Sequence, residues 1–222
     1  MTEVKGFLRD FRLHVPECIY SCSGIKICGR RIKSVIFSTD VSIIRNCNAD
    51  SVIAVYPFTP QPVITQAVMM AADMPVFVGI GGGLTKGERV LGLGRHAEYQ
   101  GAFGVVVNAP TPNETVTALK SALDIPVIVT VVSEEDNVNE RIKAGAEILN
   151  ISAAAKTPEL IKKIREDFPN IPIMATGGPT DESIKATIEA GANAVTWTPP
   201  TNGEVFKDIM EAYRQHKEHP KY

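Results

Sequence analysis

Residues 125–152 read IPVIVTVVSEEDNVNERIKAGAEILNIS. Two β-branched runs, 126–131 and 148–152, flank a polar stretch that ends in Gly145-Ala146. Neither run alternates polar with apolar residues. Both are mainly apolar, as a strand is when helices cover one of its faces and other side chains fill the opposite one. The intervening stretch carries Ser133-x-x-Asp136, a loose helix-start signal, and closes on a glycine suited to a helix end. The segment therefore reads as strand, helix, strand, with the two strands parallel.

Working outward, the same unit recurs on both sides. Met74-Pro75-Val76 and Ile171-Pro172-Ile173 open strands as Ile125-Pro126-Val127 does, and Gly101-Ala102 and Gly191-Ala192 precede strands as Gly145-Ala146 does. The strand candidates are 34–39, 51–56, 75–80, 104–109, 126–131, 148–152, 172–177 and 194–198, each followed by a helix-like segment. The repeating object is a βαβα pair. Eight units of such regular length predict an α/β fold, a closed (β/α)8 TIM barrel and not an open sheet. Thr85-x-x-Glu88, Thr111-x-x-Glu114 and Thr201-x-x-Glu204 read as capping boxes, and Thr157-Pro158 as a cap with proline at the first helical position. A single domain is expected, with the barrel over residues 34–222 and an N-terminal extension over 1–33. Within that extension, Cys18–Ser23 and Ile25–Arg30 flank Gly24 and fit a hairpin that plugs the N-terminal end of the barrel.

With 222 residues, 44% of them hydrophobic, the chain holds one sizeable core, although barrels usually run to about 250 residues. A net charge of −2 gives no reason to expect nucleic acid or an anionic membrane as partner. No apolar run is long enough for a bilayer, and MTEVKGFLRDFRLHV lacks the apolar stretch of a signal peptide, so a cytoplasmic protein is expected. Four unevenly spaced cysteines read as reduced thiols. Cys18-x3-Cys22-x5-Cys28 matches neither zinc nor common iron–sulfur spacing, and no metal is expected. A homo-oligomer, most simply a dimer, is the expected working form.

In this architecture the strand ends and the loops after them build the working site. The repeat makes Gly79, Thr130 and Thr176 equivalent, and likewise Asn108, Ser152 and Thr198. Thr39, Asp40, Tyr56, Asn150 and Thr196 join them at the rim. Asp40 is the only carboxylate directly at a strand end. It is either a proton-transfer group or the cap of the helix beginning near Val41. Glu134, Glu135 and Asp136 fall in a first helical turn, where acidic residues are common for dipole reasons alone. No barrel strand carries the inward lysine that Schiff-base chemistry needs; Lys86 and Lys156 lie in loops. Gly177-Gly178 is either a backbone cradle for phosphate or a tight turn of positive φ. Gly79–Gly83 is either a substrate loop or a close packing site.

Residues 171–194, IPIMATGGPTDESIKATIEAGANA, resemble the ribulose-phosphate-binding barrels, and most of all their 2-keto-3-deoxy-6-phosphogluconate aldolase branch, in the order of Pro, Thr-Gly-Gly, helix and Ala-Gly-Ala. The resemblance implies that Gly177 and Gly178, with Thr176 beside them, contact a phosphate. Two departures qualify it. The strand position that holds the family's Schiff-base lysine reads Asn150, and the last strand runs into Pro199-Pro200, which have no N–H to offer a phosphate. The function expected is a lyase or isomerase, without a cofactor, acting on a phosphorylated sugar or keto acid. Asp40 and Asn150 would be catalytic; Asn108, Thr130, Ser152, Thr176, Gly177, Gly178 and Thr198 would bind a small phosphorylated or anionic metabolite. The alternatives are an FMN-binding oxidoreductase, a non-catalytic sensor and a hydrolase without a recognisable triad.

Overall fold

The computed structural model describes residue 6 and residues 11–220. Eight parallel strands close into a barrel: β3 (Ser34–Phe37), β4 (Ser51–Ala54), β5 (Val76–Gly81), β6 (Gly104–Val107), β7 (Val127–Val131), β8 (Ile148–Ile151), β9 (Ile173–Thr176) and β10 (Ala194–Trp197). They follow chain order around the ring, and β10 pairs with β3 to complete it. The expected (β/α)8 barrel is the observed fold, with its first strand at Ser34.

The two repeated sequence patterns each perform one job three times. Pro75, Pro126 and Pro172 stand immediately before or at their strands, where a missing N–H costs nothing. Their carbonyls accept 3.0 Å bonds from Val52, Val105 and Leu149 on the preceding strand and so start each ladder. At the helix ends, Gly101, Gly145 and Gly191 all have positive φ, at 87°, 113° and 113°. The alanine after each donates back five residues, to Ala97, Arg141 and Thr187, and is itself buried. That is the Schellman pattern: a left-handed residue ends the helix while its successor caps an orphan carbonyl and docks in the core.

The strands are buried on both faces. Outside them, the apolar faces of the helices pack as one continuous cluster. Inside, Ile53, Phe77, Val106, Ile128, Ile148 and Met174 fill the lower barrel, and Ile25, Ile27 and Ile32 close it from below. Those three isoleucines come from a hairpin, β1 (Ile25–Ile27) and β2 (Arg30–Ile32), so the N-terminal plug is real. Its register differs from the sequence expectation. The turn is at Cys28-Gly29, not Gly24, and Glu17–Ser21 is a 3-10 turn instead of a strand. Gly24 instead hands the chain to the barrel, its N–H bonding Asn193 O at 2.8 Å. The four cysteines are free thiols; burial pushes that of Cys22 up to about 11.

The helices are α1 (Val41–Arg45), α2 (Pro62–Ala71), α3 (Glu88–Tyr99), α4 (Asn113–Ala122), α5 (Val138–Ala144), α6 (Thr157–Asp167), α7 (Asp181–Glu189) and α8 (Asn202–Arg214). Of the expected capping boxes only Thr201–Glu204 forms. α3 starts after Gly87 and α4 after Pro112, neither with a side-chain cap. Thr111 turns its hydroxyl to Asn108 O instead. Asp136 accepts from the Val132 and Ser133 N–H groups, and Asn137 caps α5. Thr157 is the first residue of α6 and accepts from Ala153 N, which puts Pro158 second. At Thr111, Asp136 and Thr157 a loop contact takes the place of the cap, because a polar side chain near a turn has several N–H and C=O groups in reach. α8 buries none of its residues, and Phe206, Met210 and Tyr213 are exposed. Among the described residues no helix is long and apolar enough to cross a membrane.

Candidate active site at the barrel mouth

Asp40 follows β3 and caps α1. Its Oδ1 accepts from the Ser42 N–H (2.9 Å), the Ser42 hydroxyl (2.7 Å) and the Ile43 N–H (3.2 Å). Burial pulls the carboxyl upward, but the Ser42 hydroxyl and the two N–H groups outweigh it and hold Asp40 below its ordinary value. The cap reading is thus correct, and it occupies one oxygen. Oδ2 has no hydrogen bond among the described residues.

Asp40 also lines a cavity of about 700 Å³ at the C-terminal mouth, with Phe37, Val55, Tyr56, Asn108 and Thr198 among its walls. It is the one charged side chain among the described residues lining it. The sequence reading did not include Phe37 or Val55, yet strand alternation places them one inward step above Val35 and Ile53. That period-2 step was the available signal. Pro199 and Pro200 form part of the wall as well.

The other expected residues lie on the arc from β7 round to β10, which closes against β3. By the same alternation Thr130, Asn150, Thr176 and Thr196 point inward from β7, β8, β9 and β10, one step above Ile128, Ile148, Met174 and Ala194. Thr130 and Asn150 are register partners, and Asn150 Nδ2 donates to Thr130 Oγ1 at 3.3 Å. Thr176 Oγ1 donates to Ser152 Oγ at 3.3 Å. Thr196 is buried, and its hydroxyl finds no partner among the described residues. The interior is therefore two-sided, apolar towards β3–β5 and hydroxyl- and amide-lined towards β7–β10. Asp40, Asn108 and Thr198 share the mouth cavity, whereas Asn150 is engaged with Thr130 on the neighbouring strand.

At the turn after β9 the structure separates the two glycines. The Gly177 N–H donates to Thr196 O at 3.1 Å, so it is not free for an anion. A Cβ there would stand 2.6 Å from Val195 Cγ1 and 2.8 Å from Ile184 Cγ1. Gly177 is a packing glycine. Gly178, with φ +82°, makes the turn into α7. The first turn of α7 is closed by a reciprocal Thr180–Ser183 box that the sequence reading passed over, and it carries Asp181 and Glu182. Two carboxylates oppose the field that makes a helix N-terminus attractive to anions.

Two further residues position the mouth. The Tyr56 hydroxyl accepts from Gln61 N at 2.8 Å and braces the loop between β4 and α2. Arg141, on α5, donates to Thr111 O, Ala109 O and, at 2.9 Å, Asn113 Oδ1, so it staples the loop carrying Asn108. Thr111 presses on Gly82, where a Cβ would fall 1.7 Å from its Oγ1. Of the two readings of Gly79–Gly83, close packing holds at Gly82. Nothing local in the sequence marks Arg141, because its acceptors lie about 30 positions away. Among the described residues no group of three or more His, Cys, Asp or Glu gathers to hold a metal.

Fold and site together define the chain as a (β/α)8 barrel with an open cavity at the C-terminal ends of its strands. Solved structures with the same architecture include phosphoenolpyruvate phosphomutase from Streptomyces platensis subsp. rosaceus, at 13% identity and TM-score 0.64 over 90% of this chain and 86% of that one. A mandelate oxidase aligns at 15% identity and TM-score 0.66, over 80% and 68%. Dihydrodipicolinate synthase from Aquifex aeolicus aligns at 17% identity and TM-score 0.56, over 79% and 68%. At these identities the likeness is one of fold. No protein-family model and no curated protein sequence matches the chain.

Proposed function

We propose that the chain is a lyase or isomerase that moves a proton on a small keto-acid metabolite held in the mouth cavity. The observation that carries this reading is the Asp40 carboxylate. It is fixed by three hydrogen bonds to Oδ1, keeps Oδ2 free of protein partners among the described residues, and is the single charge on an otherwise uncharged wall. A carboxylate held below its ordinary value is ionised at neutral pH but weakly basic, so the proton it takes must be acidified. A C–H beside a carbonyl fits, with the Asn108 amide and the Thr198 hydroxyl as donors able to polarise that carbonyl. Asn150, already bonded to Thr130, serves better to order the polar arc than to act on substrate.

The resemblance of residues 171–194 to ribulose-phosphate-binding barrels supports an anionic group at the turn after β9. The donors remaining there are the Gly178 N–H and the hydroxyl of Ser152, which accepts from Thr176 and keeps its own proton to give. Beside Asp181 and Glu182 they suit a singly charged carboxylate better than a doubly charged phosphate, which favours a keto acid over a sugar phosphate. A dimer remains the proposed working form, supported by the bare Phe206, Met210 and Tyr213 of α8; a monomer mass by light scattering at micromolar concentration would end that proposal. For the activity, deuterium exchange into the carbon next to the carbonyl of pyruvate and related 2-oxo acids, followed by NMR, is the direct test. Enzyme-dependent exchange that disappears in Asp40→Asn supports the reading. Exchange at the solvent rate with every acid tried would overturn it.

A further inference from the structure

The mouth cavity has a neighbour. A second hollow of about 340 Å³ lies between the loop after β4 and the loop after β5, and it shares Tyr56, Pro57 and Asn108 with the first. One wall is Pro57, Phe58 and Pro60; the other is the backbone of Gly81 and Gly83 with Leu84. Thr59, Thr85 and Asn108 also line it, and among the described residues no charged side chain does. Phe58 is 74% exposed and Leu84 99% exposed, on facing loops at the rim of a cavity rather than on a random surface. Large apolar side chains so placed mark a site that something apolar covers. Glycine backbone opposite aromatic and proline rings leaves a slot open to a flat or branched hydrocarbon group.

The geometry points to this hollow as the subsite for an apolar side chain of the substrate, so that the preferred substrate is a 2-oxo acid with a bulky hydrocarbon substituent. The inference rests on the mouth being the substrate site, and it adds the specificity. Going round the ring, the proposed carboxylate position lies at β9, Asp40 follows β3, and the apolar slot lies between β4 and β5. An extended molecule would meet its anionic, reacting and apolar contacts in that order. Continuity through Tyr56, Pro57 and Asn108 is what makes the slot a part of the same site.

The slot can be filled without disturbing the fold. At Gly83 an added Cβ meets only Asn108 Nδ2 at 3.7 Å and Pro110 Cγ at 3.8 Å, both ordinary contacts, and its φ lies outside the left-handed region. Gly83 lines the hollow, so Gly83→Leu adds bulk at its wall. Phe58→Ser removes the opposite wall from an exposed position and guards against a folding defect in the first variant. Isothermal titration is made with pyruvate, 2-oxobutyrate, 4-methyl-2-oxopentanoate and phenylpyruvate. In the unaltered protein, affinity is expected to rise along the series, with phenylpyruvate at least about tenfold tighter than pyruvate, the return on burying one large side chain. In Gly83→Leu and Phe58→Ser that gain should collapse towards the pyruvate value. Equal affinity across the series, or a gain that survives both substitutions, overturns the subsite and leaves the mouth reading standing. No saturable binding by any of the four acids overturns both.

Discussion

Asp40 caps α1, and substitution can separate that cap from the proton transfer proposed for the same side chain. Asparagine keeps an oxygen for the Ser42 and Ile43 N–H groups, so α1 stays capped, but it cannot take a proton. Asp40→Asn is expected to bind 2-oxo acids within a few-fold of the parent while losing about 10²–10⁴ in turnover, measured by the exchange assay. The pH dependence follows from the sign of the shift. The folded carboxyl lies below its ordinary value of 3.8, so its contribution to stability is complete above that value and is lost as pH falls through the lower, folded one. The acid limb of activity due to Asp40 should accordingly lie below about pH 4, with a flat profile from there to neutrality; a limb near pH 6 would assign it to another group. Gly177 makes the opposite kind of prediction. A methyl group at 2.6 Å from Val195 and 2.8 Å from Ile184 has nowhere to go, so Gly177→Ala should lose about 1–3 kcal/mol in urea denaturation.

The elements that carry the site are short, and their loops are held by long-range staples instead of local boxes. The segment after β6 shows this best. Asn108 N bonds Gly81 O at 2.9 Å, Thr111 bonds back to Asn108 O, and Arg141 reaches over from α5. Replacing Arg141 by methionine leaves three acceptors without their donor and keeps the hydrocarbon stem. The expected result is a loss of about 1–3 kcal/mol and faster exchange of the Ala109, Thr111 and Asn113 amides, with ligand affinity falling alongside as Asn108 loosens. Lysine should not rescue it, because one ammonium group cannot serve acceptors that the guanidinium fork spans. If exchange in this loop is unchanged, Arg141 is not the staple.

At the scale of the whole molecule, the barrel is a tube whose lower end needs a stopper and whose upper end needs to stay open. The hairpin β1–β2 supplies the stopper. Ile32 is 1% exposed and packs under the inner layer of Val35, Ile53 and Phe77. Ile32→Ala should cost about 2–5 kcal/mol, since neither strands nor hairpin can close far over the void; urea denaturation measures it, and a loss under 1 kcal/mol would mean the hairpin is peripheral. On β5, β7 and β9 the inward residues become small or polar at the upper end, which leaves room there. Gly79, Thr130 and Thr176 occupy equivalent steps of the repeat and cannot fill the space that Phe77, Ile128 and Met174 fill below.

The barrel was legible in the sequence because its determinants are local and repeated. Apolar runs at strand spacing, prolines at strand entries and Gly-Ala pairs at helix ends act within a few residues, and three copies of each reinforce the reading. Asp40 and the rim threonines and asparagines were legible for the same reason: they lie at fixed offsets from strands. Contacts between distant segments were not. That the Gly177 N–H belongs to Thr196 and that Arg141 holds the loop at Ala109, Thr111 and Asn113 are outcomes of competition among groups about 20–30 positions apart. Propensity cannot rank such partners, because burial and distance decide which donor meets which acceptor. The division of the site into a mouth at Asp40, a polar arc through Asn150 and Thr196, and an apolar slot between Phe58 and Leu84 exists only once the ring has closed. Closure brings β10 beside β3, the two ends of the repeat, and so decides which strand ends share a cavity.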